Sequence, residues 1–510
     1  MSLKPRSTKL IGITCLSIAF IYLVFQSSLT SDEALPEMEQ DSFITVNDSI
    51  RHVYEPVLSA NDSDIIDLSN LYDIAIPSTL HPWTKADDIL LDSALGQLFR
   101  SELLTSAEVA PDFRHLTNQQ RLYKTLFHKF DPMVAAGVNI EESCPQLWNL
   151  FRSLEGHLYP WIHQTFKSAF DIPKAGKGSG IVLCAGNNQF RYAVTTIRAL
   201  REILKSELPI EIFYIDESDL DAMKRVYLET EFHNVRTRDI SKVINNKWTK
   251  LGGWAIKPYA ILASSFNQVI MMDADVYFFR KPEELLYDRA YLKTGSLFFY
   301  DRTLFPDWLK GRDWLLSFLP SYSTQLVRSR WWNLASSHEQ EAGVVVIDKT
   351  KSLLGLLSTC KLNDKKERDQ VTYKHVHGDK ETFWVGFEMV QTPYAFIKSY
   401  GAVLGGLGHK GDASRVCGNQ LHLGTDGRPL WWNGGIFRDK NKYPDEYLRM
   451  THFATGQNWE FQTSCIIETE GIHETTLAEQ HIGESYITLD AQRKHDESMI
   501  EDGSWRHQDV

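Results

Sequence analysis

The sequence is poor in the features that mark several protein classes. Six cysteines in 510 residues are too few for a disulfide scaffold, and no C-x-x-C or Cys/His spacing suggests zinc. No block of Lys or Arg interrupts a chain of formal net charge −12, which argues against nucleic acid as a partner. No G-x-G-x-x-G follows a strand-like run, so a dinucleotide fold is disfavoured. Internal repeats, coiled-coil heptads and low-complexity tracts are also missing, which removes solenoids and fibrous assemblies.

What the chain does have is core-forming material. An apolar fraction of 43%, with 14 Trp, 20 Tyr and 26 Phe, fits a globular protein with a substantial interior. The length allows two or three domain-sized units, or one large catalytic domain with extensions. An aromatic-rich, acidic protein suits a carbohydrate or another neutral polar ligand.

Leu10 to Leu29 is nearly free of charge, with Lys4, Arg6 and Lys9 before it and Asp32, Glu33, Glu37 and Glu39 after it. About 20 apolar residues span a bilayer, and the flanking charges orient them. The expected layout is a cytoplasmic tail (1–9), a transmembrane signal-anchor (10–29) and a lumenal remainder. A cleaved signal peptide ending near Gln26-Ser27-Ser28 is the alternative. Residues 30–84 are polar and acidic and read as a stem, with glycosylation sequons at Asn47 and Asn61. Cys15 falls in the membrane segment, leaving Cys144, Cys184, Cys360, Cys417 and Cys465 for the lumen. Those five allow at most two disulfides and one free thiol, in a pairing that spacing does not reveal.

Residues 85–175 carry helix-like apolar spacing broken by Pro132, Pro145 and Pro160, and read as a helical lead-in region. A Gly- and Lys-rich joint, 174–180, then introduces alternating strand and helix patterns. Ile181–Ala185, Pro209–Ile215 and Val269–Met272 read as strands; Ala193–Leu204, Leu220–Leu228 and Lys257–Ser265 read as helices. This order predicts an α/β domain over 176–470 with a parallel, doubly wound sheet. The remainder, 471–510, is strongly polar and reads as a peripheral tail.

The chemistry centres on Val269-Ile-Met-Met-Asp-Ala-Asp275. If the strand stays extended past Met272, Asp273 and Asp275 point the same way and converge on one point. Paired carboxylates at the carboxyl end of a buried strand suit a hard divalent cation and a phosphorylated ligand. Solvated turn acids are the bland alternative: Asp62-Ser63-Asp64 shows the same spacing with no strand before it. Three later segments are also dense in functional residue types. Glu339–Asp348 contains Glu341 and Gly343 in a polar turn before an apolar run. His375–Trp384 gathers Asp379, Lys380 and Glu381 beside Gly378. Gln420–Gly435 combines His422 with Trp431, Trp432, Asn433 and Gly434. Neutral imidazole can complete a carboxylate coordination shell, and Trp faces pack on sugar C–H faces. An ordinary charged turn, a helix N-terminus and a core histidine account equally well for these segments taken singly.

Together, Ile256-Lys-Pro-Tyr-Ala-Ile-Leu-Ala-Ser-Ser-Phe266 with the acid pair, Gly378-Asp-Lys-Glu-Thr-Phe-Trp384 and Pro429-Leu-Trp-Trp-Asn-Gly-Gly435 resemble the fungal α-mannosyltransferases of glycosyltransferase family 71. The likeness runs from about Ile181 to Asn441. It implies a GT-A fold, a GDP-mannose donor and a manganese ion. It further implies retaining transfer to a mannose-terminated N- or O-linked glycan, typically through an α-1,3 link, by a type II protein of the Golgi membrane. On this resemblance Asp273 and Asp275 hold the metal, and Lys257 lies near the donor phosphates. Asp379 and Glu381 face the donor sugar or the acceptor, one of them as nucleophile or as a positioning group. Trp254, Glu341, Gly343, Lys380, Trp431, Trp432, Asn433 and Gly434 complete the substrate-binding set. His422-x-Gly424 ahead of Arg428-Pro-Leu-Trp431 resembles the element that supplies a third metal ligand in related retaining transferases, with Arg here where Lys is usual. Two other classes fit the same residues: a metal-dependent hydrolase, which needs no acceptor, and a non-catalytic sugar-binding protein, which shows no turnover.

Overall fold

Ile181-Val-Leu183, Ile210–Tyr214, Val269–Met272, Leu297-Phe-Phe299 and Val344–Ile347 are unbroken apolar or nearly apolar runs. A strand apolar on both faces is stable only between two covering layers, and all of these residues are buried. The structure is a computed structural model that describes residues 68–76, 111–467 and 471–505. The expected cytoplasmic tail (1–9) and anchor (10–29), Asn47, Asn61 and most of the expected stem lie outside those residues. Among the described residues no helix is long and apolar enough to cross a membrane.

Residues 66–510 make one compact unit, built on a sheet of eight strands. In chain order these are β1 (Tyr72–Ala75), β2 (Ser179–Cys184), β3 (Ile210–Tyr214), β4 (Val235–Asp239), β5 (Gln268–Met272), β7 (Ser296–Tyr300), β8 (Gln340–Asp348) and β9 (Tyr394–Ile397), with the two-residue β6 (Tyr277–Phe278) lying outside this sheet. The spatial order is β1-β9-β7-β8-β5-β2-β3-β4. β5, β2, β3 and β4 are parallel neighbours, as the alternating pattern predicts. β8, however, runs antiparallel to both β5 and β7, and β1 antiparallel to β9. The sheet is therefore mixed rather than wholly parallel. The strand–helix alternation extends only from β2 to β5, and beyond it a strand can enter the sheet from either end.

Successive residues of the strands feed two layers. Val182, Phe213, Val269, Met271, Val345 and Ile347 pack with helices α1 (Phe113–Ala135), α2 (Pro145–Leu158), α5 (Ile256–Ala263), α6 (Lys349–Leu362) and α7 (Lys380–Met389). Ile181, Leu183, Ile212, Ile270, Met272 and Val346 face α3 (Phe190–Arg198) and α4 (Ala222–Glu231). The lead-in helices thus share one core with the sheet.

A second, antiparallel sheet is built from the chain after residue 402, including β10 (Ala402–Gly408), β11 (Asp412–Leu423) and β12 (Pro429–Asn433). β12 also pairs with β6, which joins this sheet to the segment just after the Asp pair. β13 (Phe437–Asp439) and β14 (Tyr443–Tyr447) form a separate hairpin. Cys417 of β11 is disulfide-bonded to Cys465 on the neighbouring strand, whereas Cys144, Cys184 and Cys360 are free thiols. This bridge closes a loop of 48 residues. Replacing both cysteines by Ser is expected to lower stability by about 2–4 kcal/mol, read from the denaturant midpoint.

Two expectations from composition are corrected. The stem contributes β1, whose Asp73 accepts a 2.6 Å hydrogen bond from the Tyr300 hydroxyl while Tyr72 donates to Asp288. The tail is not peripheral: it forms β15 (Gly471–Glu474) and helix α8 (Leu477–Glu501), started by a Thr476/Glu479 capping box. α8 buries Tyr486 and Leu489 against the second sheet, and the Tyr486 hydroxyl donates to the Phe278 carbonyl at 2.6 Å. A few well-spaced buried residues suffice to dock an otherwise polar helix.

Candidate active site

β5 stops at Met272, and Asp273–Val276 forms a tight turn closed by Val276 N–H to the Asp273 carbonyl at 3.1 Å. The two acids therefore lie on a turn, not on an extended strand, and strand alternation is not what places them. Neighbours fix this turn from several sides. The Asp273 amide donates to the Gly343 carbonyl at 2.8 Å, Thr196 Oγ1 donates to the Ala274 carbonyl at 2.7 Å, and the Gly435 amide donates to the Asp275 carbonyl at 2.9 Å. The segments holding Gly343 and Gly435 thus meet the acid pair directly.

Lys257, near the start of α5, is buried with its Nζ 2.8 Å from Asp273 Oδ1, 3.7 Å from Asp379 Oδ2 and 3.2 Å from the Ala342 carbonyl. Burial opposes its charge, but Asp273 and Asp379 outweigh that and hold the amine protonated. Burial pushes the Asp273 carboxyl up to about 7; the nearby Asp275 and Asp379 charges add to this, against the pull of Lys257. Burial likewise raises Asp379, whose Oδ2 has no hydrogen-bond partner among the described residues. Asp275 is paired with the Lys440 amine, which reaches it from the β13–β14 hairpin. Three acids and two lysines so form one cluster at the carboxyl end of β5.

Glu341 closes a second side. Its Oε1 accepts from the Gly343 amide at 2.9 Å and from Asn433 Nδ2 at 2.8 Å. A side chain at Gly343 would put a Cβ 2.7 Å from Asn433 Nδ2, so this contact requires glycine. Asn433 Oδ1 in turn accepts from the Gly434 amide at 2.7 Å. Lys380 pairs with Asp301 and touches His338 Nδ1. Asp301, at the end of β7, also accepts from Gln420 Nε2 at 2.9 Å. Trp254 is exposed and lies over Gly378, the residue before Asp379.

Other residues singled out from sequence are placed elsewhere. Glu381 is fully buried and accepts hydrogen bonds from the Glu339 and Gln340 amides and from Trp384 Nε1, at 3.0, 3.3 and 2.6 Å. It fastens the start of β8 to α7 and turns into the core rather than toward a ligand. Trp431 and Trp432 are also fully buried, Trp432 stacked on Tyr277. His422 lies between them and the main sheet, its ring 3.9 Å from Trp431 and 5.5 Å from Phe299. Burial drives its pKa down to about 3, and the charges acting on it are Asp301 and Arg302, not the acid pair. Both ring nitrogens lack hydrogen-bond partners among the described residues. Among the described residues, no group of three or more His, Cys, Asp or Glu is disposed to hold a metal ion.

Lys440 and Asp301 were not evident from sequence. Asp301 follows the apolar run Leu297–Tyr300 just as Asp273 follows Val269–Met272, and that parallel is a usable signal. Lys440 stands in Asp439-Lys-Asn-Lys442, which reads as a solvated turn.

The fold and site define an α/β protein with a largely buried cluster of three acids and two lysines at the end of its central strands. Residues 178–313 and 316–423 match the mannosyltransferase family model Mannosyl_trans3. The match covers just under half of the chain. The matched residues include Asp273, Asp275, Glu341, Asp379 and His422, whereas Asn433 and Lys440 lie beyond them. The alpha-1,3-mannosyltransferase MNN1 of Saccharomyces cerevisiae is 26% identical over 321 residues, which cover 52% of this chain and 42% of the relative. The alpha-1,3-mannosyltransferase MNT2 of the same organism is 25% identical over 314 residues, covering 54% and 53%. The chain spans about half the length of the curated relatives it matches. The galactosyltransferase LgtC superposes with a TM-score of 0.27 at 13% identity, over 42% of this chain and 72% of that one, too loosely to bear on function.

Proposed function

We propose that this protein is a retaining α-mannosyltransferase of GT-A type. It moves mannose from GDP-mannose to a mannose-terminated N- or O-linked glycan and forms an α-1,3 linkage. The observation that carries this reading is the single buried cluster of Asp273, Asp275 and Asp379, with Lys257 and Lys440 as counter-ions, against the Asn433–Gly435 turn. The family match and the names of the relatives support it. A single-pass type II placement in the Golgi membrane belongs to the same reading and rests on the charge-flanked apolar segment 10–29.

The cluster's chemistry fits a divalent cation. Carboxylate oxygens are hard donors, Asp379 Oδ2 is buried without a hydrogen-bond partner among the described residues, and Asp275 already holds a positive group. Asp273 and Asp275 would hold manganese, which when bound supplies Lewis-acid stabilisation of the departing diphosphate. His422 is left out of this set, because it is stacked away from the acids. Lys257 keeps Asp273 and Asp379 in register and presents a second fixed cation toward a diphosphate. Asp379 is placed to face the sugar as nucleophile or orienting group. Glu341 and Asn433 hold each other in a fixed geometry, ready to orient sugar hydroxyls.

The test is incubation of the purified full-length protein with GDP-mannose, manganese and a mannose oligosaccharide. Transfer that needs both acceptor and cation, with an α-1,3-linked product, is expected. Free mannose released without acceptor, or no turnover, overturns the proposal. A narrower prediction concerns Lys440, whose amine competes with a cation for Asp275. Lys440→Met is expected to lower the manganese concentration giving half-maximal thermal stabilisation by roughly fivefold, since a partly exposed ion pair is worth about 1 kcal/mol. An unchanged titration would remove Lys440 from the site.

A further inference from the structure

Beside the carboxylate cluster runs a row of aromatic side chains that the core does not use. Trp254, Phe305 and Phe461 are 53%, 53% and 55% exposed. They are linked through two histidines. The Trp254 ring lies 5.2 Å from His377, His377 lies 6.2 Å from His338, His338 lies 5.6 Å from Phe305, and Phe305 lies 5.5 Å from Phe461. Each step is comparable to the width of a pyranose ring, so the row is long enough for several sugars.

Its inner end belongs to the site. Trp254 precedes Lys257 by one helical turn and covers Gly378, where a Cβ would come 2.8 Å from the indole. Gly378 has φ +70 and is followed by Asp379. His338 touches the Lys380 amine, which is paired with Asp301. From there the row leads away from the acids. Its backbone is unusual as well: Phe305 and Asp307 have φ of +51 and +65, a region that costs a non-glycine residue energy. The chain accepts that cost at Phe305 while leaving its ring half in solvent.

We propose that Trp254, Phe305 and Phe461 form a binding platform for the acceptor, a chain of neutral hexoses. The sugar rings lie with their C–H faces on the three aromatic rings, and His377 and His338 bond hydroxyls between them. The inference rests on the transferase reading above and deepens it, since the platform determines which acceptor lengths are used. A neutral ligand follows from the charges at the row, because Lys380 and Asp301 already satisfy each other. Burial keeps both imidazoles below the usual histidine range; neutral His377 offers a donor and an acceptor, and His338, whose Nδ1 lies against the Lys380 amine, offers its Nε2.

The experiment measures binding of mannose and its di-, tri- and tetrasaccharides to the full-length protein by calorimetry, and transfer to each from GDP-mannose, for wild type, Phe305→Ala, Phe461→Ala and the double variant. Wild-type affinity is expected to rise with acceptor length. The variants are expected to lose about tenfold for the tetrasaccharide while the value for mannose and the KM for GDP-mannose stay unchanged. Phe305→Tyr and Phe461→Tyr, which keep a flat ring, are expected to keep the length dependence. Affinity independent of length in wild type, or variants that match wild type at every length, would overturn the platform. If length-dependent binding is lost in the variants but GDP-mannose is not a donor, the platform stands and the donor assignment falls.

Discussion

Asp273→Asn is expected to reduce the transfer rate by at least about a thousandfold while leaving the protein folded. The carboxylate lies at the end of β5 with Asp275 and Asp379 acting on it. In the proposed reaction it would hold the ion that stabilises the leaving diphosphate, a contribution of several kcal/mol, and about 4 kcal/mol corresponds to three orders of magnitude in rate. Asn preserves the shape and still accepts from Lys257, so the turn keeps its amide contacts with Gly343 and its closure through Val276. Removing one of three clustered acids also relieves repulsion. The thermal midpoint should therefore move little, and a large drop would make Asp273 a structural residue. Asp64→Asn, in the Asp-x-Asp at 62–64, is the matched control and should leave the rate unchanged. Near wild-type transfer by purified Asp273→Asn would remove the cation from the proposed reaction.

The second large effect falls on stability. Lys257→Met keeps the length of the side chain and deletes the charge between Asp273 and Asp379, at 2.8 and 3.7 Å. Removing one partner of a buried pair costs about 3–5 kcal/mol, because the other charge stays buried without compensation. Of the two carboxylates left behind, Asp379 is buried and Asp273 only partly so, so the lower part of that range is expected. The double variant Lys257→Met/Asp273→Asn should recover much of the loss, which a double-mutant cycle measures directly by denaturant unfolding. Strict additivity of the two single effects would show that the 2.8 Å contact contributes no coupling.

The sequence made the central strands legible because their signal is local. Val269–Met272 followed by two acids marks a buried strand that ends at a charged turn, and the strand–helix alternation orders β2 to β5. The site was legible where residues act through charge: Asp273, Lys257 and Asp379 meet as their chemistry suggests. Aromatic residues were read less well. Trp431 and Trp432 look like a sugar platform in the sequence, yet in a strand paired on both edges they fill the core, and the exposed rings are isolated residues far apart in the chain. Glu381 misleads for the same reason, since a buried carboxylate that ties two backbone amides cannot be told from a catalytic one by its neighbours in sequence. Lys440 reaches Asp275 across 165 positions, a distance over which no periodic pattern speaks. The reversal of β8 depends on how irregular connections travel, which apolar spacing does not encode.

The docking of α8 ties the acid turn to the order in which the chain is made. Phe278, three residues beyond Asp275, accepts its hydrogen bond from Tyr486, and β6 receives its partner strand only from residues 431 and 432. During translation the segment carrying the two acids therefore waits for more than two hundred further residues before its last supports exist. Contacts of such separation form late and slowly. A nascent chain stalled before residue 486 would carry a formed β5 and an unbraced acid turn, so the cluster matures only once residue 486 has been made.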